Sequence, residues 1–300
     1  MASLRPQSRQ GHAYTHVHAH DQAYIHNGDI YNYLDATFEE RRVLDWLAPQ
    51  SPSEDHNEAL KQHERGTLRW FFKNPRFKKW RDEEVAGEPA VLWCRGQMGT
   101  GKTTLVAQIR EHLHARKESR GGIAVAYCRY SKRNVQTVES ILGSIIAQLY
   151  NRDKESCDLP ECITNSYHAQ KWVLPHIAQL EEWMHTRSKV GMPVFVLLDA
   201  IDELDILLIR KLLRILQFGN LKLLVTSREL PLLRQEFGSC TVIQVRATKK
   251  DLRNMILGRL QRESTRDTRQ RVLEQPAREP LFVSVKHEVV SKIMKSADNM

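Results

Sequence analysis

Between Ala90 and Ile109 the chain passes from an apolar segment, AVLWC, through a turn holding three glycines in six residues, Gly96, Gly99 and Gly101, and out into LVAQI. An apolar strand that enters a glycine-rich turn and leaves with Leu105, Ile109 and Leu113 on one helical face commits this segment to a strand–loop–helix unit. The turn fits G-x-x-x-x-G-K-[ST], with Gly96, Gln97, Met98, Gly99, Thr100, Gly101, Lys102 and Thr103 in register and Thr104 following. Glycines let backbone N–H groups wrap a phosphate with no Cβ in the way, and the helix N-terminus adds a positive dipole. In that role Lys102 reaches the β- and γ-phosphates as a mobile charge, and Thr103 offers its hydroxyl to Mg²⁺.

From Pro89 onward short apolar strands alternate with longer amphipathic helices, the pattern of a parallel sheet with crossover helices. Strands are predicted at 90–94, 123–128, 194–198, 221–226 and 241–245, and helices at 102–117, 135–150, 172–187, 204–218 and 230–237. The fold class is therefore α/β, a P-loop NTPase core. The run 194-VFVLLDAIDE-203 places Asp199 at the carboxyl end of a fully apolar strand, where open α/β sheets bind ligands. Asp199 is the expected Mg²⁺ residue, acting through the ion's waters. Asp202 or Glu203 would orient or deprotonate an attacking water, Glu203 foremost; a helix-capping role for these acids coexists with that one. In 223-LLVTSRE-229, Arg228 ends the next strand and would meet the γ-phosphate, the alternative being a surface pair with Glu229.

Composition narrows the classes. Three hundred residues at 41% apolar content can bury a core. The N-terminus is polar, and the most apolar later stretch is broken by four acids, so neither secretion nor membrane spanning is read. Five scattered cysteines without a C-x-x-C pair suggest neither a disulfide framework nor a zinc knuckle, and a cytoplasmic location follows. The net charge of +9 gathers between Arg246 and Arg271. Without interleaved aromatics it reads as a solvated helix face rather than a nucleic-acid patch.

Four segments are expected: a disordered leader over 1–35, a helical adaptor over 36–88 carrying two apolar clusters, the core over 89–246 and the beginning of a helical lid over 247–300. His16, His18 and His20 could share a face only on an ordered strand, so metal binding there is disfavoured.

The order GQMGTGKTT, VFVLLDAIDE, LLVTSR resembles the NACHT branch of the STAND-class signal-transduction NTPases, whose acidic motif is an apolar strand, Asp, a small residue, an apolar residue, then Asp-Glu. Here it reads Asp199-Ala200-Ile201-Asp202-Glu203. The segments 28-GDIYNY-33, 43-VLDWLAP-49, 66-GTLRWFF-72 and 123-IAVAYCRY-130 look like those flanking the phosphate loop in fungal NACHT proteins, which commonly continue into ankyrin or WD40 repeats. The resemblance implies a nucleotide-controlled switch in self/non-self recognition, heterokaryon incompatibility or programmed death, forming homo-oligomers in the triphosphate state and acting on an effector it does not identify. It favours ATP, with GTP open. The family's G-T-G-x-W has a second glycine where this chain has Leu68, and the chain stops at 296-SADNM-300, inside what looks like the start of a helical region, as a truncated product would. Turnover is expected to be slow, since a switch needs two long-lived states. Two other readings stay open: a nucleotide-binding interaction module without hydrolysis, and a nucleic-acid-acting P-loop ATPase.

Overall fold

The computed structural model describes residues 38–49, 51–83, 90–116, 122–152, 159, 161–169, 174–188, 193–216, 221–237 and 240–271. The leader with its three histidines, Cys157, the segment 28–33 and the stretch beyond 271 lie outside the described residues. Four helices come first: α1 (Phe38–Leu47), α2 (Ser53–Lys61), α3 (Arg69–Lys73) and α4 (Pro75–Asp82). Then follow β1 (Ala90–Arg95), α5 (Lys102–Ala115), β2 (Ile123–Tyr127), α6 (Val138–Arg152), α7 (Glu161–Ala169), α8 (Ile177–Ser188), β3 (Val194–Asp199), α9 (Ile206–Ile215), β4 (Leu221–Ser227), α10 (Pro231–Phe237), β5 (Thr241–Gln244) and α11 (Lys249–Arg271).

The five strands form one parallel sheet in the order β2-β3-β4-β1-β5. Strands buried on both faces need apolar residues at every position, and β3 supplies them. Val194, Val196 and Leu198 join Trp93, Ala124 and Val225 on one face, under α1, α6, α8 and α9. Phe195 and Leu197 turn to the other, where Leu92, Val125 and Leu224 meet Phe71, Phe77, Trp80 and Ile109. The sheet flanked by helices is the P-loop NTPase fold read from the sequence.

The helices before β1 are built into both faces rather than standing apart from them. Val43, Leu44 and Leu47 of α1 share the first core, and the aromatic cluster of α3 and α4 shares the second. Lys222, 2% exposed on β4, donates from Nζ to the carbonyls of Arg81 and Glu83 and so ties the end of α4 to the sheet. His56 of α2 bonds Tyr127 Oη through Nδ1 (2.7 Å) and Glu111 Oε1 through Nε2 (3.1 Å), fastening α2 to β2 and α5.

Both sheet edges are occupied by side chains. On β2, Gly122 O and Cys128 N face β3, so the alternating backbone turns Val125 and Tyr127 outward. Gln148 accepts from Val125 N and donates to Val125 O, each at 2.9 Å, and Gln136 donates to Tyr127 O at 2.8 Å. On β5, Arg76 donates to Val242 O at 2.7 Å.

Boundaries shift where polar side chains cap. Helix α6 begins at Val138, three residues later than its apolar pattern suggests, because Thr137 and Ser140 exchange side-chain and backbone bonds as a reciprocal cap. Helix α9 begins at Ile206 because Asp205 accepts from Leu207 N at 2.8 Å. The helix expected from residue 172 begins at Ile177, and α7 was not foreseen. Its sequence, ECITNSYHA, is poor in helix formers and buries only Ile163 and Tyr167, one turn apart. Among the described residues no helix is long and apolar enough to cross a membrane.

Gly143 lies inside α6, where a Cβ would stand 2.3 Å from the carbonyl oxygen of Leu47. Gly143→Ala should therefore weaken the chain by about 1–3 kcal/mol through overpacking of α1 on α6, despite alanine's better helix propensity. Urea denaturation followed by circular dichroism reads the effect.

Candidate functional site

The turn between β1 and α5 is built as its glycines require. Gly99 (φ +76°) and Gly101 (φ +83°) occupy the left-handed region. At Gly96 a Cβ would fall 2.6 Å from Val245 O and 2.7 Å from Thr100 Oγ1, and Gly96 N donates to Ser227 O at 3.0 Å. Thr100 closes the loop through its hydroxyl to Gln97 O (2.8 Å), while Met98 projects outward, 82% exposed. Lys102 Nζ lies across the loop and donates to Gly96 O (2.8 Å) and Gln97 O (2.9 Å). Its partial burial lowers its pKa, an effect opposed by the nearby charges of Asp202 and Asp199.

Opposite, Asp199 ends β3 and is 2% exposed. Burial pushes its pKa up; hydroxyl donation from Thr226 (2.6 Å) and Thr103, with the charge of Lys102, pulls it down. The chain then turns sharply at Ala200, one of two described non-glycine residues with positive φ (+51°), at a cost of about 1–2 kcal/mol. The Thr226 hydroxyl supports that turn too, accepting from Ala200 N at 2.8 Å.

Asp202 and Glu203 follow in a 3-10 turn (Ile201–Glu203) with separate partners. Asp202 takes Arg228 through both N (3.1 Å) and Nε (2.6 Å), so Arg228 pairs with Asp202 and not with Glu229. Glu229 is occupied by Arg95 and Arg234. Glu203 accepts from Tyr130 N at 2.8 Å. Neither acid caps α9, which Asp205 does.

These groups open onto one cavity of about 1110 Å³, lined by Lys102, Thr103, Thr104, Asp202, Glu203 and Arg228 among others. Asp199 is buried at the end of β3 and is not among the lining residues. The far wall was not legible in the sequence: Lys61, Gln62 and Glu64 from the end of α2 and beyond it, and Met255, Arg259 and Arg262 from α11. Helix α11 reaches this wall because Gly258 packs on the Glu64 carboxylate, within 2.1 Å of where a Cβ would stand, and Arg262 pairs with Glu64 at 2.6 Å. Gly258 within a charged helix was the one hint of that approach. Leu68, where the resembled family has glycine, does adopt positive φ (+62°). It is held by its N–H to Asp251 of α11 (3.0 Å) and by its buried side chain. Among the described residues no group of three or more His, Cys, Asp or Glu could hold a metal unaided. The donors here, one hydroxyl and one buried carboxylate, suit a hard cation that keeps most of its waters, as Mg²⁺ does.

Because the folded-state pKa of Asp199 is raised, its burial costs stability at neutral pH, and that cost fades as pH falls through the raised value. Asp199→Asn removes the cost. Without nucleotide, the variant should unfold at a higher temperature than the parent at pH 7, and the two should converge on acidification; differential scanning calorimetry across pH checks this.

No curated protein matches the sequence. Among solved structures the chain is similar to Cdc6p from Pyrobaculum aerophilum at 17% identity, covering 64% of this chain and 49% of that one with a TM-score of 0.41. It is similar to the ORC1 protein of Aeropyrum pernix, solved in complex with DNA, at 17% identity (74% and 53% covered, TM-score 0.39). The ORC2 protein of Aeropyrum pernix, solved as ADPNP–ADP complexes, shares 16% identity (74% and 55% covered, TM-score 0.37). The chain thus spans about half the length of each. Residues 66–228 match the family described as Nephrocystin 3, N-terminal, a stretch running from Gly66 through the glycine turn and Asp199–Glu203 to Arg228. That match takes in more than half of the 300 residues, and the chain belongs to the Nephrocystin 3, N-terminal family.

Proposed function

We propose that this chain binds a nucleoside triphosphate together with Mg²⁺ in the cavity above the β1–α5 turn, and hydrolyses it slowly. The observation that carries the reading is the convergence of a glycine-rich loop, Lys102, Thr103 and Asp199 on one end of a cavity large enough for a nucleotide.

The backbone N–H groups of 97–103 would bind the phosphate oxygens, and Lys102 would leave the carbonyls of Gly96 and Gln97 for the β- and γ-phosphates. Thr103 and Asp199, the latter through water, would hold Mg²⁺, which when bound neutralises charge on the β- and γ-phosphate oxygens. Glu203 would accept a proton from the water that attacks the γ-phosphorus, and the bond from the γ-phosphorus to the β–γ bridging oxygen would break to release nucleoside diphosphate and inorganic phosphate. Arg228, steadied by Asp202, keeps an exposed guanidinium edge for the γ-phosphate. The base and ribose would lie toward Lys61, Gln62, Met255 and Arg259. ATP is the favoured ligand on the resemblance to NACHT proteins, with GTP its competitor.

On that same resemblance the chain serves as a nucleotide-controlled signalling switch of the fungal NLR type, acting in the cytoplasm and assembling with copies of itself in the triphosphate state. Helix α11, which touches both the cavity and the segment before α3, is placed to respond to occupancy. An interaction module that binds without turnover is the second reading. It is favoured by the way Lys102 and Arg228 are each already satisfied by bonds within the chain.

Lys102→Ala should abolish binding of labelled ATP and GTP with Mg²⁺, while Glu203→Gln should keep binding and lower phosphate release by about 10²-fold or more. Binding without Lys102-dependent phosphate release in the parent would leave the module reading in first place. Equilibrium binding and single-turnover phosphate release on the same samples separate the two.

A further inference from the structure

Resting on the hydrolysis reading above, we infer that Asp55 is a positioning residue which, through the loop after β2, sets the orientation of the Glu203 carboxylate. Glu203 sits on a short 3-10 turn at the cavity and would otherwise be free to sample several rotamers. What holds it is not a side chain but the backbone N–H of Tyr130, donating to Oε2 at 2.8 Å. Where Tyr130 N stands depends in turn on the loop from Arg129 to Gln136.

That loop is fixed from two directions. From within, Arg129 N donates to Gln136 Oε1 (2.9 Å) and Gln136 Nε2 donates to Tyr127 O (2.8 Å), so its two ends are tied together. From outside, Asp55 of α2 takes two of its three basic residues: Arg129 Nε lies 2.6 Å from Oδ1, and Lys132 Nζ donates to Oδ2 at 2.9 Å. Asp55 is 8% exposed while its two cations are about a third exposed, so this grip is only partly screened by solvent. Its neighbour His56 fastens α2 to Tyr127 Oη and Glu111, which leaves Asp55 little freedom to follow a moving loop. Removing Asp55 therefore leaves Lys132 without this carboxylate and Arg129 with only the more distant Glu58 (3.7 Å), and loosens the outer hold on the loop, so that Tyr130 N can drift from Glu203.

An ångström of misplacement of a general base is enough to cost tenfold or more in rate. Asp55→Ala should lower single-turnover phosphate release by at least about tenfold while leaving the Kd for ATP within about threefold. A second variant acts on the donor itself. Tyr130→Pro removes the N–H together with the phenol that stacks on Arg133 and lines the cavity. Tyr130→Ala, which loses the phenol and keeps the N–H, is its control and should hold the parent rate. Proline suits the first position of this 3-10 turn, since Arg129 before it already has φ −137° and ψ 128°. Tyr130→Pro should lower phosphate release comparably to Asp55→Ala.

In a Glu203→Gln background neither change should lower the rate further, because both act through the group already removed. Losses that multiply in the double variants would overturn the proposal, as would an ATP affinity that falls in step with the rate. Hydrogen exchange of the nucleotide-free chain tests the tether without turnover: the Tyr130 amide should exchange faster in Asp55→Ala and in Glu203→Ala. Unchanged exchange in both variants overturns the tether. Absence of Lys102-dependent phosphate release from the parent would instead defeat the hydrolysis reading, and the exchange experiment would still decide whether Asp55 orients Glu203.

Discussion

A carboxylate shut away from water at the end of β3 sets the terms for the rest of the molecule. Asp199 can stay there only if its charge is answered, and the answering groups come from two other elements. Thr226 ends the neighbouring strand β4, Thr103 opens α5, and Lys102 lies beside it. One buried charge thus fixes the relative height of two strands and the helix after the glycine turn. The same Thr226 hydroxyl holds the strained turn at Ala200, which throws Asp202 and Glu203 up toward the cavity instead of continuing the strand. Strain and buried charge, both unfavourable alone, are stabilised by a single side chain.

The helices that precede the sheet are part of this arrangement. α2 contributes Lys61 to the cavity wall, Asp55 to the loop after β2 and His56 to the end of β2. α4 is fastened through Lys222, whose burial lowers its pKa while its three hydrogens seek carbonyls at a helix end. The cavity is consequently bounded by segments far apart in the chain, with Glu64 and Arg262 meeting on its far wall.

Much of the core was legible because period and punctuation agree. Apolar runs bounded by glycine and acids gave the strands to within a residue, and the glycine turn marked the start of α5. The site was legible as far as residue identity carries it: Lys102, Thr103, Asp202, Glu203 and Arg228 all face one cavity, with Asp199 buried at the end of β3. What the residues do to each other was not, because partner choice is a matter of distance. Arg228 stands beside Glu229 in sequence, yet Asp202 reaches it first and Glu229 goes to Arg95 and Arg234. Leucine at position 68 gives no sign of the left-handed turn that the chain forms there, where a buried side chain and a bond to Asp251 offset the steric cost. The pairing of α11 with Glu64 joins segments nearly two hundred residues apart, which no local pattern encodes.

The glutamines and arginine along the outer strands have a consequence for how such molecules meet. Gln148 and Gln136 occupy outward backbone groups of β2, and Arg76 occupies one on β5. An approaching chain would have to displace them before it could hydrogen-bond in register, at a cost of about 1 kcal/mol for each bond broken. Edges blocked at these groups resist zipping into longer sheets. Any contact between copies is then left to side chains on helices and loops, where it can be made and unmade without the chain risking a fibre.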